Sequence, residues 1–266
     1  IPHLPSIWGQ WRRLEEGFQY AKNLIKTKTP YRIGWSVIKA DGNDKVEEVT
    51  FGKLDREGYP IPKSFQNIAV ESIVVGYGLT PSTEFFRLLD VEMLYSKAEG
   101  IFLPKRNDFF QTSAPGIYAV GDCTGIGGAN LAMLEGKIAA IDVAIQSGKL
   151  NSITVETTLN QLEKKLKREQ KFARMLGEVY SLPEGLFSLA RPDTIICRCE
   201  QISLSEVKEA ISFGAQSVTD IKNITRSGMG NCQGRTCGSI LTQLLARAAR
   251  YKPEDCQYLN VRPPIH

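Results

Sequence analysis

Histidine is nearly absent from this chain. The two present, His3 and His266, stand near its ends, where neither is placed to act as a general base or a metal ligand. No Ser/His/Asp arrangement and no paired carboxylates recommend hydrolysis. No apolar run approaches the ~18–20 residues of a membrane-spanning helix, and there is no long repeat or low-complexity tract. With no export signal in view, the cysteines are expected to be reduced and the compartment to be the cytoplasm. Charge of either sign is not in large excess. The net +4 is spread along the chain, and the densest basic run, Lys164-Lys165-Leu166-Lys167-Arg168 continuing to Lys171, alternates with Glu163 and Glu169. That run reads as a solvated helix face, not a nucleic-acid stripe. A hydrophobic share of 42% and a charged share of 23% are those of an ordinary globular protein, and 266 residues hold one large or two modest domains.

Against that background the cysteines stand out. Four of the six lie at Cys197, Cys199, Cys232 and Cys237, a C-x-C pair and a C-x4-C pair separated by 32 residues. Four soft sulfur ligands are what an iron–sulfur cluster or a structural zinc requires. A C-x-C half is less comfortable at one tetrahedral zinc than a C-x2-C or C-x4-C knuckle, which favours a 2Fe-2S cluster over zinc. Disulfides are the weakest option, since adjacent C-x-C positions pair poorly and Cys123 and Cys256 would be left over. Gly228, Gly230, Gly234 and Gly238 let the backbone pass close to a bulky inorganic core and point N–H groups at its sulfurs. A four-thiolate cluster is anionic, and Arg198 and Arg235 lie beside ligands where their charge offsets it.

Hydrophobic periodicity places these residues in a framework. Trp11, Leu14, Phe18, Ala21, Leu24 and Ile25 recur at three and four, a one-sided helix over Trp8–Thr27 ended by Pro30. Arg32–Lys39 and Val46–Leu54 read as strands joined by the hairpin chemistry of Asp41-Gly42-Asn43-Asp44. Ile68–Val75 and Gly116–Val120 read as buried strands, with a short helix at Ser82–Leu89 and a long one from about Asn130 to Ile145. Strands alternating with helices predict an α/β sheet. From Asn151, Leu159, Leu162, Leu166, Phe172, Met175, Leu176 and Val179 mark a long amphipathic connector, broken at Ser181–Gly185. Beyond Arg191-Pro192, Ser203-Leu204-Ser205-Glu206 is a capping box opening a helix that Gly214 closes. Thr219–Thr225 and a segment from Cys237 to about Tyr251 complete a small all-α module of roughly 60 residues. A module of this size has little core, which makes its metal centre part of its fold.

The second informative feature is Gly116-Ile117-Tyr118-Ala119-Val120-Gly121-Asp122, followed by Gly125-Ile126-Gly127-Gly128-Ala129-Asn130. A strand delivers Asp122 to a sheet edge, where its carboxylate can accept hydrogen bonds from a polyol. The glycines let the next helix present bare N–H groups to an acceptor such as a flavin carbonyl. Gly125-x-Gly127 is not a phosphate fingerprint, because Asn130 occupies the third glycine position and no acidic ribose partner follows. A tight β–α turn with a solvated Asp is the competing reading.

These motifs carry a family resemblance. Thr112–Ala140 resembles the carboxyl-terminal FAD motif of the two-dinucleotide-binding-domain flavoproteins. Ile73-Val74-Val75-Gly76-Tyr77-Gly78-Leu79-Thr80-Pro81 resembles the turn by which those proteins leave the NAD-type domain. Cys197–Arg247 resembles the bacterioferritin-associated-ferredoxin-like (BFD-like) module. In this order, and with the ending Val261-Arg262-Pro263-Pro264, the chain is similar to the α subunit of heteromeric amine oxidoreductases of the sarcosine oxidase, opine oxidase, dye-linked proline dehydrogenase and hydrogen cyanide synthase type.

The resemblance implies a partial two-dinucleotide-binding-domain flavoprotein fold followed by a small all-α 2Fe-2S domain. It divides the chain into the remainder of an NAD(P)-like domain (1–75), the carboxyl-terminal part of an FAD domain (76–150), a connector (151–190), the BFD-like domain (191–258) and a tail (259–266). It implies iron ligation by the four cysteines. Flavin contacts are expected at Gly76, Gly78, Gly121, Asp122, Gly127, Gly128, Ala129, Asn130 and Leu131. The implied cofactors are a 2Fe-2S cluster, FAD and a nucleotide in the NAD-like site. The GxGxxG fingerprints with which such subunits begin are lacking, so FAD binding is expected to need a companion polypeptide or a longer chain. A β subunit is expected to oxidise a secondary amine or amino acid such as proline, sarcosine or an opine, with electrons passing to an acceptor through flavin and cluster. No catalytic residue is assigned. A non-enzymatic electron-transfer or iron-handling partner, and a zinc-stabilised interaction domain, stay open as other classes. Cys123 is expected to be a small buried side chain and Cys256 to be inert. Tyr77 either lines a nucleotide or caps a strand.

Overall fold

The computed structural model describes residues 10–256 apart from positions 98, 182 and 251. The chain divides into two compact units, one formed by Ile1–Gly78 with Leu182–Arg191, the other by Leu79–Ser181 with Pro192–His266. His3, His266 and Val261–Pro264 lie outside the described residues.

In the first unit, α1 (Trp11–Lys26) has the expected period but no buried residue, and Trp11 and Phe18 are 66% and 69% exposed. β1 (Trp35–Asp41) and β2 (Glu48–Lys53) form the expected hairpin, closed by the Glu47 amide on the Asp41 carbonyl at 2.9 Å. β3 (Gln66–Ala69) adds antiparallel to β2. The buried strand expected over Ile68–Val75 is not formed: β3 is an exposed edge strand, residues 70–75 carry no regular structure, and Val74 is 98% exposed. The apolar run has the composition of a central strand, but no described strand pairs with residues 73–75, so their backbone has no ladder to join.

The second unit begins with α2 (Glu84–Leu88), followed by a ribbon of β4 (Met93–Ser96) and β5 (Ile101–Pro104) that periodicity did not reveal. Phe86, Val91 and Ala119 bury themselves together. Gly116–Val120 is not the strand expected. It is held by the single bridge Gln111–Tyr118 and by the Ala119 amide on the Phe110 carbonyl at 2.9 Å, although Ala119 is fully buried. α3 (Ala129–Gln146) packs on α4 (Ser152–Val179) around Phe110, Leu131, Ile138, Ala139 and Leu166. The Asn151 side chain caps α4 by accepting from the Ile153 amide at 3.0 Å.

The cysteine-bearing part opens with a two-stranded ribbon, β6 (Ile195–Cys197) and β7 (Ile202–Ser203), which sequence reasoning did not foresee. Three helices follow: α5 (Leu204–Ser212), α6 (Val218–Thr225) and α7 (Gly238–Ala249). Val207, Val218, Ile221, Leu241 and Leu245 are fully buried between them. The predicted capping box at Ser203 and Glu206 is present, and Ser217 and Asp220 form a second. Among the described residues no helix is long and apolar enough to cross a membrane.

Candidate functional site

All four paired cysteines are free thiols. Cys197, at the end of β6, and Cys237, capping α7, are each 1% exposed, whereas Cys232 is half-buried and Cys199 exposed. They come together as two couples. The Cys237 thiol donates to Cys197 and is pushed up to about 12, first by burial and then by the Cys197 and Cys232 charges. Burial also pushes Cys232 up, but hydrogen bonds from the Thr236 amide, the Cys199 thiol, the Gly234 amide and the Thr236 hydroxyl outweigh it and leave the thiol lowered. Those bonds favour the thiolate form of Cys232, the form that ligates metal. Among the described residues no three Cys, His, Asp or Glu side chains gather as one metal ion requires. The arrangement is two and two.

The loop bearing the second couple is built for close approach. Gln233, Gly234 and Gly228 all take positive φ, +50°, +80° and +82°. The Gln233 side-chain amide donates to the Met229 and Gly230 carbonyls at 3.0 Å each, fastening the turn. A Cβ on Gly230 would overlap the Cβ of Cys199 and meet Glu200 Oε1 at 3.1 Å, so glycine alone lets this loop lie against the C-x-C ribbon. Of the two arginines offered by the sequence to offset sulfur charge, one is already paired. Arg198 is exposed, and Arg235 turns its Nε to Glu84 of α2 at 3.3 Å. A second clamp joins Arg226 to Glu200 at 3.2 Å.

The predicted flavin turn is also assembled. Gly121–Thr124 forms a 3-10 turn, and Gly128 (φ +83°) starts α3. Asp122 Oδ1 accepts the Gly128 amide at 3.4 Å, which places its carboxylate beside the amides that open α3. Gly127, Gly128, Ala129, Asn130 and Leu131 therefore stand with Gly121 and Asp122 at one corner. A Cβ on Gly127 would overlap the Leu131 side chain. Gly76 and Gly78 fall in the other compact unit, in open backbone, and Tyr77 between them is 60% exposed.

Two carboxylates at this corner were missed. Glu135, 1% exposed, accepts the Gly121 amide at 2.7 Å through one oxygen and pairs with Arg106 at 2.7 Å through the other. Arg106 also donates to the Ala119 carbonyl at 2.9 Å and stacks over Phe110 at 4.6 Å. Glu99 accepts the Ile126 amide at 3.1 Å. A signal for Glu135 was available: Leu131, Glu135, Ile138 and Asp142 share one helical face, and a carboxylate on an apolar face implies a buried partner. Cys123, expected to be buried, is half-buried; it donates to the Val120 carbonyl at 3.1 Å, and burial pushes its thiol up.

Comparison with known proteins matches residues 16–148 to the family "Pyridine nucleotide-disulphide oxidoreductase" and residues 195–247 to the "BFD-like [2Fe-2S] binding domain". The chain belongs to the pyridine nucleotide-disulphide oxidoreductase family and carries a BFD-like [2Fe-2S] binding domain behind it. It is 32% identical over 234 residues to the hydrogen cyanide synthase subunit HcnB of Pseudomonas protegens, covering 88% of this chain and 49% of that protein. It is 28% identical over 241 residues to an opine oxidase subunit of Rhizobium meliloti, covering 91% and 44%. The chain thus spans about half the length of the curated relatives it matches. A crystal structure of L-proline dehydrogenase from P. horikoshii shares the fold, with a TM-score of 0.64 at 21% identity over 85% of this chain and 41% of that one.

Proposed function

We propose that this chain is the electron-relaying part of a heteromeric oxidoreductase in which a separate subunit oxidises a secondary amine or amino acid. The observation that carries the reading is the pairing of four cysteines as two couples, in the same compact unit as the Gly121–Gly128 turn that opens α3. A 2Fe-2S cluster takes two thiolates per iron and, when bound, would supply a one-electron store. Cys197 with Cys237, and Cys199 with Cys232, are the couples that would hold it. The Gly234 and Thr236 amides that already donate to Cys232 are the type of bond that tunes a cluster's potential.

At the flavin corner Asp122 would receive ribityl hydroxyls, and the amides at the start of α3 would face the ring carbonyls, with Glu135 fixing the turn from behind. No side chain of the described residues offers itself as a substrate base, so amine oxidation is assigned to the partner. The relatives' names, a hydrogen cyanide synthase subunit and an opine oxidase subunit, support a multisubunit enzyme. The test uses the natively purified assembly. About two irons with matching acid-labile sulfide per chain are expected, together with bleaching of the flavin band when the cognate amine is added. One zinc per chain, or no bleaching across a panel of secondary amines and amino acids, overturns the proposal.

A further inference from the structure

Arg235 lies midway between Cys232 and Cys237, yet its guanidinium reaches out of the cysteine loop to a residue 151 positions earlier, Glu84 on α2 (the difference of 235 and 84). Glu84 is not a casual surface partner. Its side chain is 12% exposed, its Oε2 accepts the Ser82 hydroxyl at 2.7 Å, and its Oε1 also meets Arg87 at 3.6 Å. Burial would push the Glu84 carboxyl up, but these bonds and the two guanidinium groups outweigh it and leave it lowered, so the group is anionic at neutral pH. Glu84, Arg235, Gly234 and Gly238 together line a cavity of about 50 Å³ at the head of α7. The carboxylate therefore lies beside the second half of the loop that Cys232 and Cys237 terminate, from Gly234 to the head of α7. One further hydrogen bond, from Gln243 of α7 to the Tyr95 hydroxyl of β4 at 2.5 Å, ties the same helix to the same α/β layer.

We propose that Glu84 is a positioning residue for the cysteine centre: its charge holds Arg235, and with it the 232–237 loop, on the α/β layer, and fixes how much positive charge the centre feels. This inference rests on the reading of the four cysteines as cluster ligands. A structural anchor and an electrostatic one differ in what they predict. Removing Glu84's charge leaves Arg235 uncompensated and favours the more negative, reduced centre. Removing Arg235's charge does the reverse.

The experiment compares Glu84→Gln, Arg235→Gln, the double variant and Glu84→Asp in the natively purified assembly. The midpoint potential is read by titration followed through visible circular dichroism and the electron paramagnetic resonance of the reduced centre, and iron loss to a chelator is timed. The expected results are a raised potential in Glu84→Gln, a lowered one in Arg235→Gln, a near return to the parent value in the double variant, and a parent-like potential in Glu84→Asp. Iron loss is expected to be about three- to tenfold faster than in the parent in each neutralised single variant and no faster in the double variant than in either single one, since the two residues act as one partly exposed pair. Potentials that move the same way or not at all, or additive rates, overturn the inference. A parent protein without an iron–sulfur spectrum overturns the underlying reading instead.

Discussion

Replacing Glu135 by Leu removes the carboxylate that holds the Gly121 turn while keeping most of the side-chain volume. Two groups lose their acceptor at once: the Gly121 amide, bonded at 2.7 Å, and the Arg106 guanidinium, paired at 2.7 Å. Deleting one partner of a buried ion pair costs about 3–5 kcal/mol, because the other charge stays behind uncompensated. Arg106 keeps the Ala119 carbonyl, the Phe110 ring and 20% side-chain exposure, which places the expected loss at the lower end, about 3 kcal/mol. For a unit of this size that corresponds to a melting shift of roughly 6–12 °C. Glu135→Gln, which retains one carbonyl acceptor, should lose about half as much. Thermal unfolding followed by far-ultraviolet circular dichroism measures the stability. Flavin retained through gel filtration measures the effect on the site, since a loosened Gly121 releases Asp122 from the head of α3. A Glu135→Leu protein melting within about 3 °C of the parent, with unchanged flavin retention, refutes this account of the turn.

Cys232→Ser removes the thiol whose thiolate form four hydrogen bonds favour. It should abolish the visible iron–sulfur spectrum and make residues 192–250 protease-sensitive, while the α3–α4 pair stays folded. A retained full spectrum contradicts the ligand assignment. The second capping box is tested by Ser217→Ala, which removes the acceptor of the Asp220 amide at 3.0 Å and should cost about 1 kcal/mol in urea denaturation. Tyr118 gives a prediction in base: its hydroxyl donates to Asp142 at 2.6 Å, and that bond, with burial, pushes the phenol up to about 12. A raised tyrosine favours the folded state fully below the unfolded value near 10 and loses that share as pH climbs from ~10 to ~12. Unfolding titrations across that window should therefore slope downward in the parent and flatten in Tyr118→Phe.

The parts of the fold that could be read in advance are those fixed over short distances. Periodicity located α1, α3, α4 and α7 to within a few residues, and the Ser203 box marked the first residue of α5, because caps and helical faces are set by residues three and four apart. The strands fared less well. Residues 73–75 and 116–120 have the composition of buried strands but lack a ladder, and β4–β5 forms from segments with no clear alternation. A strand is defined by its neighbour, which local composition does not name.

The same division governs the site. The amino-acid order by itself determined which four thiols are available, which glycines free the backbone around them, and that Asp122 precedes a glycine-opened helix, since each is a matter of residue type at fixed spacing. Only the tertiary structure decided that Cys197 couples with Cys237 and Cys199 with Cys232, that Glu135 is buried behind the Gly121 turn, and that Arg235 answers to Glu84. Those partners are separated by 14 to 151 residues along the chain, which follows from their numbers (135 minus 121; 235 minus 84). Beyond a single helical turn a charge or a thiol in sequence looks alike whether solvated or paired, and only packing, which excludes water and selects the neighbour, tells the two apart.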